Sequence, residues 1–388
     1  MSRSQRRARL AARHHLAGPA ESTLEAARSL VAVHSSDPVT VFLSMWARVK
    51  GFDTVHLEDD LYRTKDLVRH WGMRRTLWVV DRPFLGAMVA ASTNSIAVSE
   101  RKRTAKLLEL GGVTEAGADW LDRVLPIVHE AVRERGPVFA RQLTRDLPEL
   151  SAKITFTNKA GRVMGSTGVA SRALLQLGIE SKVVRAKPAG SWVSGQYSWA
   201  DMGDWLGEPI EPVSEREAAA TTIRSWLRSF GPGTEADMKW WTGWTVSKLR
   251  HALADVGAVE VDLGEDGAGY LLPDDLDDVP TPATWTAFLP SLDATTMGWK
   301  ERSFFMGGHD PILFDRNGNA GPTVWLEGRV VGGWSQRKDG EIVYRLLEDV
   351  GSVERDAIEM TAHRLQQWLG GTTVTPRFRS PLDLELGI

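Results

Sequence analysis

Cysteine is absent from all 388 residues, which excludes a disulfide framework, a thiolate zinc site and a cysteine nucleophile. No apolar run approaches the length needed to span a bilayer. The N-terminal Met-Ser-Arg-Ser-Gln-Arg-Arg-Ala-Arg is followed by no signal-type apolar segment, so the reading is a cytoplasmic chain without a membrane partner. There is no Walker A loop and no dinucleotide fingerprint. The histidines are scattered, and His309-Asp310 alone is too little for a metal site. Neither a metal nor an organic cofactor is expected.

Positive charge is missing from one stretch. Between His251 and Trp299 there is no Lys or Arg, while ten Asp and Glu residues fall there. Setting those ten charges aside turns the net charge of −3 into +7 for the remainder. Local field matters more than the total, so an acidic block placed away from a basic face leaves nucleic-acid binding open. Arg3, Arg6, Arg7, Arg9 and Arg13 decorate a predicted first helix, read either as a solvated face or as phosphate contacts.

What is present reads as a mainly α chain with small β wings, an α+β class. The spacing predicts helices over 23–33 and 39–49, a polar stretch over 53–66 and a strand over 73–80. Leu121–Arg135 and Val138–Leu147 read as helices, then an irregular stretch over 151–166, then a helix over 167–177 with Gly178 as its left-handed cap. A hairpin over 182–194 follows. Helix, short helix, helix, hairpin is the order of a winged helix-turn-helix. It recurs from Ser214, where a capping box opens a helix to Phe230, then helices from Thr234 and Thr245 and a wing over 258–272. This recurrence predicts tandem winged helix-turn-helix units. From Trp285 short strands and Gly turns predict a β-rich domain with one helix over 352–369 and a last strand over 372–378. The division drawn is 1–118, 119–212, 213–282 and 283–388: three winged helices, the first carrying the catalytic motif, and the C-terminal β-rich domain.

Leu30–Pro38 (LVAVHSSDP) and Val41–Arg48 (VFLSMWAR) resemble the N-terminal motif of the AlkZ/YcaQ-type bacterial DNA glycosylases. The likeness extends to Met73–Leu77, Leu289–Asp293, Trp299–Arg302 and Arg316–Asn319. It implies excision of bulky or crosslinking alkyl adducts, in repair or antibiotic self-resistance. It also implies a polar pair, Gln-x-Gln or Gln-x-Asp, whose first member falls on His34 and second on Ser36, with Asp37 following.

N-alkylation makes a purine a good leaving group, and the enzyme must place a water near the sugar C1′ beside an oxocarbenium-like transition state. His34 is the candidate general base, because an imidazole titrates near neutral pH. Asp37 and Ser36 are its electrostatic and hydrogen-bonding partners. No Schiff-base nucleophile is suggested, so the enzyme is expected to be monofunctional. Ser-Ser-Asp-Pro is equally a helix N-cap followed by a first-turn proline. Duplex DNA, alkylated or crosslinked, is the expected partner of a monomeric, nucleoid-associated protein. Arg74, Arg75, Arg172, Lys182, Arg185, Lys300, Arg302 and Arg316 are the candidate DNA contacts. The rival readings are a non-enzymatic DNA binder, as regulator or lesion mask, and a protein that sequesters an alkylating drug.

Overall fold

Apolar periodicity and capping residues set the elements, in chain order. The computed structural model of the chain describes residues 1–157 and 162–388. Helix α1 spans Arg3–Arg13 and α2 Thr23–Ser29, each capped by a serine side chain. Strand β1, Val33–His34, leads into α3, Pro38–Trp46, and then α4, Thr54–Tyr62. Strands β2 (Leu67–Gly72) and β3 (Thr76–Asp81) complete a sheet ordered β1-β3-β2. Helices α5 (Arg82–Met88), α6 (Asn94–Leu110) and α7 (Gly117–Arg135) follow, then β4 (Val138–Phe139) and α8 (Ala140–Asp146). A hairpin of β5 (Lys153–Thr157) and β6 (Val163–Gly168) precedes α9 (Val169–Ile179), β7 (Val183–Pro188), β8 (Tyr197–Asp201) and α10 (Met202–Leu206).

Three more helices come next: α11 (Glu215–Phe230), α12 (Glu235–Thr242) and α13 (Val246–Asp255). A hairpin of β9 (Val259–Asp262) and β10 (Ala268–Leu271) closes that run. Strands β11 (Thr286–Leu289), β12 (Thr323–Leu326), β13 (Arg329–Gln336) and β14 (Ile342–Leu346) form an antiparallel sheet in sequence order. The short helices α14 (Ser303–Met306) and α15 (Asp310–Leu313) interrupt it, and α16 (Ser352–Leu369) and α17 (Pro381–Leu386) end the chain. Helices with several small antiparallel sheets make this an α+β fold, as the sequence predicts.

The chain forms two compact units. One holds Met1–Val68, Trp78–Arg82 and Arg216–Ile388; the other holds Arg69–Leu77 and Pro83–Glu215. Connectivity passes into the second unit within β2 and back within β3.

Several local expectations are corrected. The polar stretch over 53–66 contains α4, which Asp53 caps through the Val55 N–H at 2.9 Å. The stretch over 151–166, read as irregular, contains the β5–β6 hairpin; its residues 158–161 lie outside those described. Gly178 is not a cap but lies inside α9, where a β-carbon would stand 2.4 Å from the Trp71 ring. Close approach, not left-handed backbone, demands glycine there. The segment over 372–378 is no strand, because its backbone bonds go to side chains: Val374 N–H to Gln336 Oε1 at 2.7 Å and Arg377 N–H to Asp37 Oδ2 at 2.7 Å.

Arg3, Arg6, Arg9 and Arg13 of α1 are paired with acidic residues rather than left as a free basic face. Arg3 and Arg6 bind Asp266 at 2.8 and 2.9 Å, and Arg9 and Arg13 bind Asp275 at 2.7 and 2.6 Å. Arg6 and Arg9 are buried, and the Arg6 guanidinium lies 3.7 Å from the centre of the Phe304 ring. The basic helix and the acidic block therefore neutralise each other inside the first unit.

Two histidines are buried neutral. Burial, with the nearby Arg48 charge, pushes His14 down to about 3, and burial pushes His70 to about 4. An unfolded imidazole takes a proton from about pH 6.5 downward, so the unfolded state binds more protons there. Stability is expected to be full above about 6.5 and to fall as pH drops toward 4 for His70 and 3 for His14. Urea midpoints measured from pH 7.5 to 4.5 check this, and a flat profile over that range would refute it.

Candidate active site

The Leu30–Pro38 segment folds as strand, turn and helix start. Val33 and His34 pair antiparallel with Val79 and Trp78 on β3. The imidazole is 9% exposed and meets Trp78 edge-on, with ring centroids 5.2 Å apart; Trp78 in turn lies 5.9 Å from Trp241 of α12. Ser35 and Ser36 make the turn, and the Ser36 N–H donates to His34 Nδ1 over 3.4 Å. Asp37 caps α3, its Oδ1 accepting from the Val39 N–H at 3.3 Å, with Pro38 in the first helical turn. Capping is thus one of its jobs, as the residue pattern suggests.

Asp37 has a second partner that no local pattern reveals. The Arg377 N–H donates to Oδ2 at 2.7 Å, and the Arg377 Nη1 reaches the Ser36 carbonyl at 3.4 Å. Asp37 is 3% exposed, and burial pushes its carboxyl above the usual carboxylate range. The two backbone N–H groups and the Arg377 charge pull the other way without cancelling that push. The result is a buried carboxylate of raised proton affinity three residues along the chain from the His34 imidazole.

The far end of α3 is fixed by ions. Arg48 donates to Asp293 Oδ2 at 2.9 Å and Oδ1 at 2.7 Å, and Ser44 Oγ bonds Oδ2 at 2.6 Å. Arg48 also reaches Thr295 Oγ1 at 2.7 Å, which shares a 2.8 Å bond with His14 Nδ1. Arg48 and Asp293 have no exposed side-chain surface. Burial pushes the Asp293 carboxyl up, but the Arg48 guanidinium, with the Ser44 hydroxyl and the Thr295 N–H, together outweigh it and hold the group below the usual range. Thr40 Oγ1 adds a 2.9 Å bond to the Ser291 carbonyl. The resemblance marks both segments, Val41–Arg48 and Leu289–Asp293; their physical tie is this network, which holds the helix that presents Asp37.

The basic candidates form separate groups. In the second unit Arg74 and Arg75 sit in the turn between β2 and β3, both with φ of 57°. Arg75 and Arg172 bind one buried carboxylate, Glu100, at 3.0 and 3.4 Å. Burial pushes the Arg74 guanidinium down from its ordinary value. Arg185 lies among Trp71, Tyr197 and Trp199, with its guanidinium 5.1 to 5.4 Å from the three ring centres, while Lys182 is exposed at the head of β7. In the first unit Lys300 is exposed, and Arg302 covers Phe314 at 4.3 Å. Arg316 is exposed on a turn that Asp315 holds through the Asn317 and Asn319 N–H groups at 2.8 and 2.9 Å.

Sequence reasoning missed Glu100, Trp78 and the Arg377 main chain as site components. The acidic Glu100 amid Arg101, Lys102 and Arg103 offers the one faint signal of the three. Among the described residues no group of three or more His, Asp or Glu side chains could hold a metal ion, and no helix is long and apolar enough to cross a membrane.

Comparison with known proteins agrees with this architecture. A solved structure, the Streptomyces sahachiroi DNA glycosylase AlkZ, superposes with a TM-score of 0.74 over 97% of this chain and 99% of its own, at 20% identity. An interstrand DNA cross-link repair glycosylase from the same organism is 25% identical over 308 residues, covering 76% of this chain and 77% of that protein. The profile described as DNA glycosylase AlkZ-like matches residues 27–368. The chain therefore belongs to the AlkZ-like family of DNA glycosylases.

Proposed function

We propose that the protein hydrolyses the N-glycosidic bond of N-alkylated purines, bulky or crosslinked, in duplex DNA, without a metal and without a covalent enzyme–sugar intermediate. The observation that carries this is the His34–Asp37 turn, where an imidazole and a buried carboxylate of raised proton affinity share one short segment. The family and the cross-link repair relative support the substrate class.

Water attacks C1′ as the C1′–N bond breaks, the alkylated purine leaves neutral, and one proton of the water passes to His34. With Nδ1 accepting from Ser36, the neutral ring carries its proton on Nε2 and donates toward the water oxygen. Taking the proton at Nε2 requires the other tautomer, which gives up a hydrogen bond already 3.4 Å long and therefore weak. Asp37 supplies negative charge beside the oxocarbenium. Ser36 contributes its main-chain N–H as the Nδ1 partner of the resting imidazole.

The run α11-α12-α13-β9-β10 supports the tandem winged-helix reading, as does the run α7-β4-α8-β5-β6-α9-β7-β8, in which the β5–β6 pair is inserted between the second and third helices. Lys182 and Lys300, both exposed, serve as phosphate contacts. Arg75 and Arg172, bound to Glu100, stiffen the turn that carries Arg74.

Base release from duplexes carrying N7-methylguanine, N3-methyladenine or a bulky guanine adduct tests the proposal. Abasic sites are expected with at least one of them, without added metal and with EDTA present. Binding to all of these duplexes with no base released would sink it in favour of a non-enzymatic DNA binder.

A further inference from the structure

A cleft lies in the first unit, at the opposite end of α3 from the His34–Asp37 turn. Asp37 caps the helix and Trp46 ends it. Nine helical residues put about 13 Å between those ends, so the two sites are distinct. The cleft encloses about 430 Å³ between the end of α3, the β11 strand and α16. Trp46, Phe52 and Trp368 form an aromatic wall, with Trp368 centred 6.1 Å from Trp46 and 5.7 Å from Phe52. His15, Lys50 and Arg364 supply cationic or protonatable groups, and among the described residues that line the cleft none is acidic. The Arg364 guanidinium is steered by a 3.3 Å bond to Thr361 Oγ1 on the cleft wall. Arg48 also lines the cleft, but Asp293 neutralises it.

The nearby carboxylates are weak competitors. Glu21 stands 3.7 Å from Lys50, both with most of their side chains in solvent, and Glu25 stands 3.9 Å from the largely covered His15 with 49% of its own side chain exposed. Exposed pairs of this kind contribute little and exchange readily. Aromatic faces accept a flat ring, and a rim of cations without lining carboxylates selects a negative charge on it.

We propose that this cleft is a ligand site for a planar aromatic anion of nucleotide type, separate from the glycosylase turn: a flat ring on the aromatic wall with its phosphate held by Arg364 and Lys50. It depends on neither the catalytic role of His34 nor the lesion excised.

Calorimetric titration of the full chain with AMP, adenosine and inorganic phosphate tests it. AMP is expected to bind with a Kd of about 1 mM or tighter, and the ring or the phosphate alone about tenfold more weakly or worse. Arg364→Ala and Lys50→Ala, both at exposed side chains, are expected to weaken AMP by about tenfold each, as loss of a charge-assisted hydrogen bond does. No saturation by AMP, equal binding of phosphate alone, or unchanged affinity in both variants would overturn the assignment.

Discussion

His34→Ala is expected to slow single-turnover base release by about 10²- to 10⁴-fold, the span a positioned acid–base group supplies. The ring meets Trp78 edge-on, and the α3 cap is made by Asp37 with the Val39 N–H rather than by His34, so loss of the ring leaves that cap intact. Folding and DNA binding should therefore survive, which keeps the rate effect interpretable. His34→Gln separates two tasks. Glutamine can orient a water by donating and accepting hydrogen bonds but cannot hold its proton. Its expected rate lies between wild type and alanine, and the loss of rate at acid pH that imidazole protonation produces should disappear. If His34→Gln kept both the wild-type rate and its acid limb, the histidine would not be the base. If His34→Ala kept full activity, the site would lie elsewhere.

Asp293→Ala is expected to destabilise the first unit by about 3–5 kcal/mol, the cost of leaving a buried charge unpaired. Arg48 would lose both of its carboxylate bonds, at 2.7 and 2.9 Å, with no exposed surface through which water could replace them. The cost should not reappear in full when both partners go. Arg48→Met combined with Asp293→Leu removes the unpaired charge and is expected to recover most of the loss. Urea unfolding of the two single variants and the double variant decides it, and an Asp293→Ala loss under 1 kcal/mol would show that the pair carries little.

Some local signals were legible where one residue type had one local job, though the Asp53 cap of α4 was not among them. Asp37 before Pro38 reads as a cap in the sequence and caps α3 in the structure. The helix predicted over 352–369 is α16, because its buried residues Ile358, Ala362, Leu365 and Leu369 recur at helical spacing and the left-handed Gly370 ends it. Pairings between distant residues were not legible. The arginines of α1 and the acidic block are each obvious in the sequence, yet Arg6 with Asp266 or Arg9 with Asp275 joins positions some 260 residues apart. Nothing local separates such arginines from DNA contacts. Arg75 and Arg172 show the same ambiguity, since Glu100 reaches them only through the fold of the second unit.

Residue order alone determined the α+β class, the absence of thiol chemistry and the position of the polar turn at His34–Asp37. Caps, breaks and apolar period act over a few residues, so they are written where they operate. The tertiary structure decided what that turn is worth chemically. Asp37 gains its raised proton affinity from burial in the packed chain, against the opposing pull of Arg377, a residue 340 positions away whose N–H completes its hydrogen bonding. It also decided the two units, each assembled from non-contiguous stretches. Burial and long-range charge pairing depend on which surfaces meet, and that is a property of the packed chain rather than of any short run of it.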